Sequence, residues 1–134
     1  MRIILDTNVF VSGVFFSGPP YQILEAWRKG ELELIMSSDI LDEYRRVAAV
    51  LAAQFPPVDL HAILEFVEKE AVFFDASALP EQVCDDPDDD KFLACALASD
   101  TNIIVSGDKH LLRVSGYRNI EVLKPKAFVD EYLA

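Results

Sequence analysis

Apolar residues in this chain come in short uniform runs separated by amphipathic stretches. Arg2–Leu5, Leu32–Met36, Ala71–Phe74, Ile103–Ser106 and Ile120–Leu123 each carry at most one polar residue, the pattern of strands buried on both faces. Between these runs the spacing turns helical. Tyr21, Leu24 and Trp27 share one face of a helix that Pro19-Pro20 opens and Gly30 closes, with Arg28 and Lys29 in its last turn. Ile40, Leu41, Tyr44, Val47 and Leu51 mark a second helix, with N-cap candidates at Ser37-Ser38-Asp39 and a breaker at Pro56-Pro57. Leu60, Ile63, Leu64 and Val67 mark a third. Phe92–Ala98 is apolar nearly all round and predicts a helix buried on most sides. Pro125 starts a terminal helix through Phe128, Val129 and Tyr132. Thr7–Gly13 only prolongs the first apolar run, and Lys109-His110 reads as loop. Uniformly apolar strands alternating with helices predict an α/β fold of three layers, a central and mainly parallel sheet flanked by helices.

Composition adds size and charge. The chain has 134 residues, one domain's length, so residues 1–134 read as a single unit. A hydrophobic fraction of 51% and a mean hydropathy of +0.19 exclude a disordered chain. The longest plain apolar stretch, Val47–Ala53, falls far short of the ~18 residues of a membrane span. Met1-Arg2 leads straight into the first strand without a leader-like apolar segment, so a cytoplasmic protein with no membrane attachment is expected. Cys84 and Cys95 are too few and too far apart for a zinc knuckle or a redox pair, and are expected as free thiols.

The net charge of −11, from 23 acids and 12 bases, argues against general affinity for a phosphate backbone. Five of the acids lie in Asp85-Asp86-Pro87-Asp88-Asp89-Asp90, which is either a solvated loop or offset by a cation that the chain does not itself contain. Lys109, His110, Arg113, Arg118, Lys124 and Lys126 face only Glu121 in their segment, which is locally about +4. That segment reads either as a solvated face or as a rim guiding phosphates.

In an open parallel sheet, sites form beyond the carboxyl ends of the strands. Asp6 follows the first strand, Asp108 follows the strand at 103–106, and Asp90 opens the buried helix, where a helix N-terminus favours a carboxylate. Glu43, one turn into the second predicted helix, can point to the same rim. Singly, each has an ordinary explanation as turn former, cap or surface acid. Together, four converging carboxylates repel one another unless protonated or bridged by a cation, and oxygen donors select a hard ion such as Mg²⁺ or Mn²⁺. Asn8, Ser38 and Ser106 are candidates to hydrogen-bond those acids. Asp85, Asp86, Asp88 and Asp89 read as caps and solvated surface, with Asp88 and Asp89 close enough to Asp90 to assist it. Nucleophile-elbow and phosphate-loop motifs are absent, His61 reads as surface, and Tyr21, Trp27 and Tyr44 read as core aromatics.

Four blocks in order carry a resemblance: Ile3-Ile4-Leu5-Asp6-Thr7-Asn8-Val9, Ile40-Leu41-Asp42-Glu43-Tyr44, the Asp85–Leu93 stretch, and Ile104-Val105-Ser106-Gly107-Asp108-Lys109-His110. They resemble the PIN domain, and more narrowly its VapC-like branch of toxin ribonucleases from prokaryotic toxin–antitoxin pairs. The resemblance covers essentially the whole chain. It implies a Mg²⁺- or Mn²⁺-dependent endoribonuclease with Asp6, Glu43, Asp90 and Asp108 catalytic, the metal on Asp6, Asp90 and Asp108, and Asn8 and Ser106 in support. Ser106 stands where the family more often has Thr, and His110 where many relatives carry another Asp, which leaves one or two metals open. The chemistry implied is water attack on phosphorus with Glu43 activating the water, leaving a 5′-phosphate and a 3′-hydroxyl. Lys109, His110, Arg113 and Arg118 would steer RNA. The resemblance also implies a cognate antitoxin protein and allows a homodimer, for which Val14, Phe15, Phe16 and Tyr21 offer apolar contact. Two rivals are a degenerate scaffold that binds RNA or protein, and a phosphatase of the haloacid-dehalogenase kind. The latter wants a second acid where this chain has Asn8.

Overall fold

A computed structural model describes residues 1–55 and 59–133; the expected breaker at Pro56-Pro57 lies outside them. Five strands form one sheet: β1 (Arg2–Leu5), β2 (Glu33–Met36), β3 (Val72–Phe73), β4 (Ile103–Val105) and β5 (Glu121–Leu123), in the order β3-β2-β1-β4-β5. Every pairing is parallel, with Ile3 opposite Leu34 and Leu5 opposite Val105. The α/β/α architecture expected from the apolar runs is therefore present. The first strand has the expected bounds, Arg2–Leu5, and the other four are one or two residues shorter than their apolar runs, because Leu32, Ala71, Phe74, Ser106 and Ile120 flank the paired segments.

The helices are α1 (Thr7–Phe15), α2 (Pro19–Arg28), α3 (Ser38–Ala52), α4 (Leu60–Glu70), α5 (Asp90–Ser99), α6 (Lys109–Arg113) and α7 (Pro125–Phe128), the last running on as a looser π-type turn over Val129–Leu133. Central apolar residues of β1, β2 and β4 are wholly buried, as are Phe92, Leu93 and Cys95 on α5. Both cysteines are free and buried. Phe10 of α1 stacks on Tyr44 of α3 with ring centroids 4.2 Å apart, and the Tyr44 hydroxyl donates to the Leu5 carbonyl at 2.5 Å. That contact ties α3 to the end of β1.

Three expectations are corrected. Thr7–Phe15 is a helix, because the Asp6 carboxylate accepts the Val9 N–H at 2.9 Å and starts it at once. Gly13 lets this helix approach α2, since a Cβ there would lie 2.8 Å from the Pro20 carbonyl oxygen. Lys109-His110 is not loop but the start of α6, capped by Asp108. Tyr21 is not core: it is 46% exposed on the outer side of α2.

The strand order reverses between β1 and β4. The chain winds outward through β2 and β3, then returns to the other side of β1 for β4 and β5. The crevice beyond the carboxyl ends of β1 and β4 is thus the switch point at which a doubly wound sheet leaves room for a ligand.

Candidate active site

Asp6 and Asp108 flank that crevice because Asp6 directly follows β1 and Asp108 lies three residues beyond the end of the neighbouring β4. Asp6 is 4% exposed. One of its carboxylate oxygens caps α1, and the other accepts the Ser106 hydroxyl. The Ser106 oxygen in turn accepts the Asp108 amide at 2.9 Å, while the Asp108 side chain caps α6 by accepting the His110 amide at 2.7 Å. Ser106, itself wholly buried, thus joins the two acids. Burial raises the Asp6 carboxyl above its ordinary range, the Ser106 and Val9 hydrogen bonds oppose this, and the charges of Asp108 and Glu43 add to it.

Glu43 reaches the same place from α3. One oxygen accepts the Thr7 hydroxyl and the other the Lys91 ammonium at 2.5 Å. Neither partner was foreseen, because each lies at least 36 residues away in sequence. Lys91 also donates to Asp88 at 3.1 Å. Burial disfavours the Lys91 charge, but the bonds to Glu43 and Asp88 outweigh it and raise its pKa.

The five acids of the Asp85–Asp90 run take five different positions. Asp85 meets Arg113 at 3.0 Å, Asp86 caps a 3-10 turn over Pro87–Asp89, and Asp88 holds Lys91. Asp90 turns back to the preceding loop, where its two oxygens accept the Val83 and Cys84 amides at 3.0 and 2.7 Å. Asp89 is the one turned inward. Its Oδ2 is buried and has no hydrogen-bond partner among the described residues. Its pKa is pushed up to about 6 by burial and then by the charges of Asp108 and Asp86, with Glu43 adding and His110 opposing. The 3-10 turn is what sets Asp89 and Asp90 on different sides, and Pro87 at its start is the sequence signal that could have indicated it.

Other expected residues are not brought to the acids. Ser38 is exposed, and the N-cap of α3 is Ser37, whose oxygen accepts the Ile40 amide. Asn8 is exposed in the first turn of α1 and makes no hydrogen bond to the four acids. Arg118 sits before β5 in a hollow with Asp100, Thr101 and Asn102, which precede β4, so it lies at the amino end of the sheet, opposite the crevice. His110 and Arg113 both lean toward Asp85. Lys109 is exposed at the rim and forms no ion pair among the described residues.

As they stand, no three His, Cys, Asp or Glu side chains among the described residues are grouped closely enough to hold a metal ion. The donor set nevertheless fits a hard divalent cation. It is all carboxylate, burial and then the Asp108 charge raise the pKa of Asp89, burial chiefly raises that of Asp6 with the Asp108 charge adding, and the buried Asp89 Oδ2 has no hydrogen-bond partner among the described residues. No helix among the described residues is long and apolar enough to cross a membrane.

A family model described as PIN domain matches residues 2–110, which takes in β1, Glu43, the aspartate run and Asp108. No curated protein matches the chain.

Proposed function

The chain belongs to the PIN domain family, whose members are generally nucleases that use divalent metal ions, and on that premise we propose that it is a Mg²⁺- or Mn²⁺-dependent endoribonuclease, the toxin component of a type II toxin–antitoxin pair. The observation that carries the reading is the pair Asp6 and Asp108, joined through Ser106 beyond β1 and β4, beside Asp89, which feels the Asp108 charge and whose buried Oδ2 has no hydrogen-bond partner among the described residues. We assign to Asp89 the place that the resemblance gives to Asp90, whose oxygens brace the loop at Val83–Cys84 instead.

Asp6, Asp89 and Asp108 would hold the ion, and Ser106 keeps Asp6 and Asp108 in register. When bound, the ion supplies positive charge that polarises the scissile phosphoryl group and acidifies water. Glu43, oriented by Thr7 and Lys91, takes the proton of the attacking water on its carboxylate. Attack on phosphorus leaves a 5′-phosphate and a 3′-hydroxyl. Lys109 at the rim meets the RNA backbone, while the acid-lined crevice excludes phosphate until a cation is present. The chain then acts in the cytoplasm, as a single domain, held in check by an antitoxin that covers the crevice.

Cleavage of a panel of single-stranded and structured RNAs, in EDTA, Mg²⁺ or Mn²⁺, tests this beside Asp6→Asn and Asp108→Asn. Cutting that needs both the metal and the acids is expected. Full activity in either purified variant would refute the assignment. Absence of both cutting and metal binding in the wild type would favour a binding scaffold.

A further inference from the structure

Lys91 is the least expected component of the crevice. It follows five aspartates in a chain of net charge −11, and its side chain is only 13% exposed. The Glu43 side chain it meets is 14% exposed. An ammonium so placed loses most of its hydration, and an ion pair of this kind persists only where its hydrogen bonds are met. Here Nζ donates to Glu43 Oε1 at 2.5 Å and to Asp88 Oδ2 at 3.1 Å, joining α3 to the head of α5. The crevice acids thus divide into two groups. Glu43 and Asp88 already have a cation, supplied by the chain itself. Asp6, Asp89 and Asp108 form no ion pair among the described residues, with only the His110 ring near Asp89.

We propose that Lys91 is a built-in counter-ion that takes the place of a second divalent cation, so that the crevice accepts one metal ion, on the Asp6–Asp89–Asp108 side. The inference rests on the metal-dependent reading above and refines it. Two divalent ions among these acids would require one beside Glu43, where the ammonium sits at hydrogen-bond distance and would repel it. A lysine in that position has a further consequence: Glu43 is held in one orientation before any metal arrives. Lys91 is therefore a positioning residue, acting through Glu43.

The experiment counts bound Mn²⁺ per folded chain by electron paramagnetic resonance titration of the full protein, for the wild type, Lys91→Met and Lys91→Arg. One ion per chain is expected for the wild type and for Lys91→Arg, and two for Lys91→Met, in which Glu43 keeps only the exposed and more distant Arg46, 3.9 Å from Oε1, and with Asp88 attracts the second ion. Two ions on the wild type, or one on a folded Lys91→Met, would overturn the proposal while leaving metal-dependent cleavage intact. No ion on the wild type would remove the metal reading and this proposal together. Should Lys91→Met fail to fold, amine acylation read by mass spectrometry serves on the wild type. Lys91 is expected to stay protected relative to Lys109 both with and without saturating Mn²⁺. A gain of reactivity on loading would show that metal displaces it, which refutes the proposal.

Discussion

The two ends of the parallel sheet are built on opposite principles. At the amino end polar groups are paired: Arg2 donates to the Ser99 carbonyl at 2.9 Å, and the Ser99 hydroxyl bonds to the Cys95 carbonyl at 2.7 Å and to Thr101 Oγ1 at 2.8 Å. Asp100 closes α5 there in a left-handed conformation, φ 55°, a place more often given to glycine. At the carboxyl end acids gather, burial and neighbouring negative charge raise the pKa of Asp6 and Asp89, and the buried Asp89 Oδ2 has no hydrogen-bond partner among the described residues. The first arrangement serves stability. The second gathers like charge at a cost in stability, the mark of a functional rather than a stabilising arrangement.

Substitutions at the two ends should therefore have opposite effects, and the largest is expected at Asp6. Asp6→Asn should abolish RNA cleavage, yet leave the melting temperature in EDTA equal to or above that of the wild type, because a buried charge is removed from among like charges. A large drop in melting temperature would mean that Asp6 is mainly a structural cap of α1. Next comes Ser106→Ala, which uncouples Asp6 from Asp108 and should cost about 10–100-fold in metal affinity or cleavage, measured by titration and by rate. At the other end, Ser99→Ala should lower stability by about 1 kcal/mol in chemical unfolding, with cleavage unchanged.

The subtlest effect is one of pH. The folded pKa of Asp89, about 6, lies above its ordinary value of 3.8. Between those values the unfolded chain releases this proton while the folded chain keeps it, so Asp89 lowers stability as pH rises through the window. Asp89→Asn removes that loss. In EDTA its melting temperature should match the wild type below the window and exceed it increasingly up to about pH 6. A constant difference across the range would show that Asp89 is not held in the crevice as described.

Much of this contrast was legible in the residues. Asp6 follows the first strand run at once and Asp108 lies two residues beyond the run at 103–106, and a sheet of uniformly apolar strands places such ends together, so these two acids were legible in the local pattern. Glu43 was foreseeable as a side chain on α3, but Thr7 and Lys91, which hold it, were not. Their pairing depends on the packing of α1, α3 and α5, which no local spacing encodes. Arg118 illustrates the converse: it clusters with Lys109 and Arg113 in sequence, yet the chain crosses the sheet between them and leaves it at the far end.

The amino-acid sequence by itself determined the alternation of buried strands and helices, the parallel sheet, and the supply of acids at its carboxyl edge, since burial and periodicity are local properties of the chain. Only the tertiary structure decided which aspartate of a run of five faces inward. The reason is geometric: Pro87–Asp89 is a 3-10 turn and Asp90 begins an α-helix, so adjacent carboxylates diverge, one into the crevice and one onto the loop behind it. Identical neighbours cannot be told apart by composition, and it is the packing around each that gives them different chemistry.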